Sequence, residues 1–158
     1  MRKLLLSLAL LALPSICHSQ TCDPLLAKHI YHAQRLHVQK ACVSVTGIWQ
    51  DASHGKTGDG CRHEKDGDGH CWLKLDAGQE QYLNAENRSE QDSNLVIEPI
   101  YIYKSTQPDA VAFRKGFSQQ IKLPPIGAHV KVTGVWVLDA QHGHLEIHPV
   151  TSIEVLGR

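Results

Sequence analysis

The segment Val43-Ser44-Val45-Thr46-Gly47-Ile48-Trp49 is echoed by Val130-Lys131-Val132-Thr133-Gly134-Val135-Trp136. In both, valine alternates with a polar residue, a glycine stands two positions after the second valine, and a tryptophan closes the run. Alternation at period two describes a strand with one buried face. A glycine inside such a strand marks a bend or bulge, and bent strands are what a small closed barrel needs at its corners. The repeat therefore predicts a mainly β chain.

Five strands are expected: about 41–49, 70–75, 95–103, 128–138 and 144–155. A long loop rich in glycine and aspartate over 51–69 follows the first. Polar sequence at 84–94 shows no strand pattern, and 107–120 has room for one short helix before Pro124-Pro125. Asp139 to Gly143 makes the turn between the last two strands. Asp23-Pro24 is a helix start, with a capping carboxylate followed by proline in the first turn. Leu26, Ile30 and Ala33 follow at helical spacing, which predicts a short N-terminal helix reaching Gln34. Five strands, with long connections after the first and third and bends in the first and fourth, predict an OB-fold-like barrel with strand order 1-2-3-5-4. A β-sandwich is the competing arrangement.

The N-terminus reads as a leader. Arg2 and Lys3 precede an apolar run from Leu4 to Leu13, Pro14 breaks it, and Cys17-His18-Ser19 ends on a small residue. That is the order of a secretory signal peptide spanning 1–19, and the run is too short to span a bilayer. Ile16 before Cys17 is larger than the residue a lipid-attachment signal carries there. The expected mature protein is one domain, 20–158, exported to the periplasm or secreted, with no membrane span after cleavage. Loss of Arg2 and Lys3 leaves 14 basic against 16 acidic residues, a net charge of about −2. A strong nucleic-acid binder is usually basic, so the balance does not favour nucleic acid as a partner. Cys22, Cys42, Cys61 and Cys71 remain, and an even count in an exported domain reads as two disulfides. Three pairings are open. Cys22–Cys42 with Cys61–Cys71 is favoured because each closes a local loop.

Strand alternation sorts the chemistry-bearing residues. Cys71, Leu73 and Leu75 share one face of the second strand, and His70, Trp72 and Lys74 share the other. In the third strand Leu95 and Ile97 point in and Glu98 out. In the fifth, Leu145 and Ile147 point in, while His144, Glu146 and His148 point out. The expected strand order makes strands two, three and five neighbours, so these polar sets fall on one outer face. His70, Trp72, Lys74, Glu98, His144, Glu146 and His148 are the candidate ligand-binding residues. Histidine and carboxylate on adjacent strands suit a metal such as zinc or a hydrogen-bonded acid–base pair. Asp68, His70, Glu98 and His148 are the candidate metal ligands. The plain alternative is a polar face that meets water. Asp66-Gly67-Asp68-Gly69-His70 resembles a calcium turn, but Ala77 stands where an EF-hand carries its closing glutamate, and an ordinary Asp-Gly turn accounts for it. Trp72 either stacks a ligand or packs under the 51–69 loop. Asn87-Arg88-Ser89 matches a glycosylation sequon.

Cys42-Val43-Ser44-Val45-Thr46-Gly47, Glu64-Lys65-Asp66-Gly67-Asp68-Gly69-His70, Leu83-Asn84, Leu95-Val96-Ile97-Glu98, Val132-Thr133-Gly134-Val135-Trp136-Val137-Leu138-Asp139 and Glu146-Ile147-His148-Pro149 occur in that order. Together they resemble a family of small exported bacterial OB-fold-like domains, and the likeness covers most of the mature chain. It implies the fold and the compartment but no activity. That family carries an aromatic after His-Gly, where this chain has His144. A second likeness, to staphylococcal-nuclease-like OB domains, rests on Asp66-Gly67-Asp68. It implies a calcium-holding role for Asp68, while Arg88 and Arg114 lack the matching context.

The expected function is that of an exported binding domain for an oligomer, a small molecule or a partner protein, with no catalytic step required. The alternatives are a metal-dependent hydrolase, such as a phosphodiesterase using Asp68, His70, Glu98 and His148, and a structural envelope protein. A divalent zinc or calcium ion is the only cofactor the sequence suggests.

Overall fold

A computed structural model describes residues 22–157; the expected signal peptide, 1–19, lies outside them. The strands are β1 (Leu36–Gln50), β2 (Arg62–His63), β3 (Gly69–Leu75), β4 (Leu95–Ile97), β5 (His129–Asp139) and β6 (Leu145–Gly157), with α1 (Ala85–Glu90) and α2 (Pro108–Arg114) between them. Five strands close into a barrel in the ring order β1–β3–β4–β6–β5, with β2 hanging from β3. Among the described residues, only β4 and β6 pair in parallel.

The valine–glycine repeat makes the closure. Most of β1 pairs with β5, but its last four residues also pair with β3, and Gly47 faces both Val130 and Leu75. In β5, Gly134 faces Val43 on one side and Val150 on the other. Neither glycine uses a left-handed backbone. What they supply is space. A Cβ on Gly47 would sit 2.9 Å from the Lys74 carbonyl carbon and closer still to its oxygen. One on Gly134 would sit 3.1 Å from the Val150 Cα and closer still to the Pro149 oxygen. The barrel interior holds Val43, Val45, Trp49, Leu73, Leu95, Ile97, Val130, Val132, Ile147 and Val150, one continuous apolar core, as period-two alternation requires.

Disulfides join Cys22 to Cys42 and Cys61 to Cys71, the two local loops expected. Closing loops of 20 and 10 residues stabilises the fold by about 3 kcal/mol each in the chain-entropy account. Among the described residues, no helix is long and apolar enough to cross a membrane.

Two elements depart from the expectation. The N-terminal segment holds two single 3-10 turns, Leu26–His29 and Ala33–Arg35, instead of one helix to Gln34. Ile30 leaves helical geometry and His32 turns left-handed, which buries Ile30 and Tyr31. A helix this short is marginal by itself, so apolar burial decides. The third strand ends at Ile97 instead of about residue 103, because the chain turns at Tyr101 and buries Ile100 and Tyr101.

Candidate functional site

Facing and adjacency follow the expectation. His70 on β3, Glu98 just after β4, and Glu146 and His148 on β6 lie on one outer side of the barrel, joined directly: His70 Nδ1 is 3.1 Å from Glu98 Oε1, and His148 Nδ1 is 3.0 Å from both Glu98 Oε2 and Glu146 Oε1. His144 Nε2 lies 3.0 Å from the other Glu146 oxygen.

The plain alternative, a polar face that meets water, is overturned. Glu146 and His148 are 0 % and 1 % exposed, and His70, Glu98, His144 and Asp68 are buried with them. Three segments cover the face. Gln91, the C-cap of α1, accepts from Trp72 Nε1 and lies 3.0 Å from His70 Nε2. Arg35, just before β1, reaches Asp139 Oδ2 at 2.9 Å and Glu98 Oε2 at 3.8 Å. The chain after β4 folds back, so that the Tyr101 amide donates to Asp68 Oδ1 at 2.8 Å. α1 is held by Asn87, which is fully buried and donates to the Asn94 and Leu145 carbonyls. The glycosylation sequon is therefore a structural tie.

Hydrogen-bond logic fixes protons in this arrangement. Trp72 Nε1 only donates, so Gln91 presents its oxygen. His70 then faces an acceptor with each ring nitrogen, Gln91 and the Glu98 carboxylate. His148 Nδ1 faces two carboxylates and likewise donates. Burial works against a charged His148 ring, but the hydrogen bonds and charges of Glu146 and Glu98 outweigh it and raise its pKa to about 10. Burial also works against Glu98 ionising, yet His148 and His70 hold its carboxyl well below the usual range. Asp68 goes the other way. Burial, helped by the charges of Asp66 and Glu98, raises it to about 7 against the pull of His148 and the Tyr101 amide. Asp66 is raised as well, chiefly by burial.

Above the cluster opens a cleft of about 700 Å³. Asp68, His70, Glu98 and His144 form its floor, and its rim carries both signs, with Arg62 and Lys65 against Glu64, Glu86 and Glu90.

Of the four candidate metal ligands, Asp68, Glu98 and His148 converge, each offering a donor atom within 4.8 Å of the others. His70 does not join them, since both its nitrogens are engaged. Lys74 is exposed and away from the cleft. Trp72 is buried against Ala52 and Val96 with its ring perpendicular to that of His54, so it packs under the loop. Sequence reasoning missed Arg35, Gln91, Asp139 and His142. Arg35 and Asp139 meet because Leu36 pairs with Asp139 across β1 and β5, a consequence of register that no local pattern signals. His142 joins through Asp139 Oδ2 at 2.9 Å.

No protein-family model matches this chain, and no curated protein or solved structure does either. Geometry alone carries the functional reading.

Proposed function

We propose that this is an exported OB-fold domain that binds a small polar molecule in the cleft. The ring order β1–β3–β4–β6–β5 supports the OB assignment, and the two disulfides are compatible with an oxidising compartment. The observation that carries the reading is the cleft itself: a cavity floored by buried histidines and carboxylates. Burying so many ionisable groups costs desolvation that an apolar layer would avoid. Perturbed, partly buried ionisable groups in a cleft are the usual mark of a binding site. The rim alternates in sign, which suits a compact polar ligand better than a polyanion.

The hydrolase reading has weaker support. Arg88 and Arg114, the arginines weighed from the sequence for a nuclease-like role, bond the main-chain oxygens of Glu80 and Tyr103 and do not line the cleft; Arg35 and Arg62 do.

The test is amide NMR on the mature protein, titrated with sugars, amino acids, dicarboxylates and mononucleotides in the presence of chelator. Saturable shifts centred on Arg62, Gln91 and Gln141 are expected for at least one class. Shifts confined to the opposite wall, around Ser44 and Lys131, or no saturable shift at all, would refute it.

A further inference from the structure

We propose that Asp68 Oδ2, His148 Nε2 and a carboxylate oxygen of Glu98 hold one divalent transition-metal ion, zinc by preference, at the floor of the cleft. His148 Nε2 is a buried ring nitrogen with no hydrogen-bond partner, on a side chain that is 0 % exposed. Leaving such a group unsatisfied is costly, and native structures rarely do it without a reason. The nitrogen points at Asp68 Oδ2, 3.6 Å away. That is ion-pair range, though too long for a hydrogen bond. An ion there would take the place of the Nε2 proton, which is released on binding; two donors sharing one ion, with bonds of about 2.1 Å at the tetrahedral angle, stand roughly 3.4 Å apart.

The remaining atoms of the three residues are anchored as supporting groups anchor metal ligands. The other nitrogen of His148 sits 3.0 Å from both Glu146 Oε1 and Glu98 Oε2, the other oxygen of Asp68 accepts from the Tyr101 amide, and His70 Nδ1 lies against Glu98 Oε1, so Glu98 would reach the ion through a second lone pair of one of these oxygens. Each ligand is thus oriented by a second, buried partner, and Glu146 is a positioning residue. Donor chemistry selects the ion. Calcium and magnesium take oxygen shells of six or more ligands, whereas two carboxylates and an imidazole suit zinc and its first-row neighbours.

Three protein ligands leave a coordination position open. Asp68 and Glu98 line the cleft and His148 does not, so the open position faces the cavity and is available to water or an oxygen donor. The ion needs no organic ligand in the cleft, so this inference stands or falls apart from the small-molecule reading.

The experiment strips the mature, disulfide-bonded protein with chelator and titrates it with zinc chloride, and separately calcium chloride, by calorimetry, with metal content measured after dialysis. One zinc per chain and no competition from calcium are expected. Asp68→Asn keeps the oxygen that accepts from Tyr101 and replaces the ligand atom. It should abolish stoichiometric zinc while leaving far-UV circular dichroism in chelator unchanged. Glu146→Gln should weaken zinc binding about 10–100-fold. Cobalt supplies a readout free of any variant: the parent should develop visible absorption of a low-symmetry nitrogen–oxygen site with no thiolate charge-transfer band. Absence of stoichiometric zinc in the parent would overturn the proposal. Zinc uptake by Asp68→Asn equal to the parent's would assign the metal to surface histidines and overturn it equally, and calcium binding tighter than zinc would overturn the donor assignment. If Asp68→Asn does not fold, the cobalt spectrum of the parent decides: no visible bands, no site. Cleft shifts persisting in chelator alongside a failed zinc titration would leave the small-molecule reading intact.

Discussion

Gly47→Ala tests the closure of the barrel. Gly47 is where β1 passes from one neighbour to another, paired to both Val130 and Leu75. Replacing glycine with alanine within a strand ordinarily stabilises, by about 0.4–1 kcal/mol, when the backbone is compatible and space is free. Gly47 has a compatible backbone but no space. The new methyl would stand 2.9 Å from the Lys74 carbonyl carbon and 3.0 Å from the Leu75 Cα. Those are main-chain atoms of the adjacent strand, so no rotamer change relieves the clash, and β3 must move off by roughly 1 Å. Overpacking of this kind costs about 1–3 kcal/mol, and one strained ladder hydrogen bond adds about 1 kcal/mol. The expected loss is about 3 kcal/mol, or about 10 °C in Tm for a domain of this size. Guanidinium and thermal unfolding of the oxidised protein, followed by fluorescence of the buried tryptophans, measure it. A change within about 0.5 kcal/mol, or a stabilisation, would refute the close-approach argument. Gly134→Ala should behave in the same way.

His148→Ala should cost about 3–5 kcal/mol in urea, because Glu98 and Glu146 lose the buried partner they share; a cost under about 1 kcal/mol would mean that water reaches the cluster. Converting Cys61 and Cys71 to serine together should lower stability by about 3 kcal/mol, and thiol labelling of the denatured, unreduced parent should find no free cysteine. Asp139 gives a pH dependence. Burial alone would raise its carboxyl, but His142, Arg35 and the Gln141 amide outweigh burial and hold it below the ordinary value. The unfolded chain then takes up this proton first, so the contribution is present above about pH 4 and is lost as pH falls below that. Asp139→Asn should flatten the decline in stability between roughly pH 5 and 3; an unchanged slope would remove Asp139 from the acid response.

Alternation in the sequence was enough to determine which side of each strand a residue occupies, and the paired Val-x-Val-x-Gly segments determined that the first and fourth expected strands would meet. Both follow from a backbone rule: side chains alternate, and glycine alone tolerates a neighbouring main chain at contact distance. The cysteines were legible for a similar reason, since short loops close at the least entropic cost. The same rule places His70, Glu98 and His148 on one side.

Only the tertiary structure decided whether that side was wet. Facing away from a barrel interior does not mean facing water, because other parts of the chain can lie over it. Here Arg35, Gln91 and the turn at Tyr101 do so, from positions with no periodic relation to the strands they cover. Their arrival turns a run of polar residues on β6 into a buried charge network, engages both nitrogens of His70, and leaves one nitrogen of His148 without a partner. Local sequence encodes direction along a strand. Burial is set by what packs across it, and that is a long-range property of the folded chain.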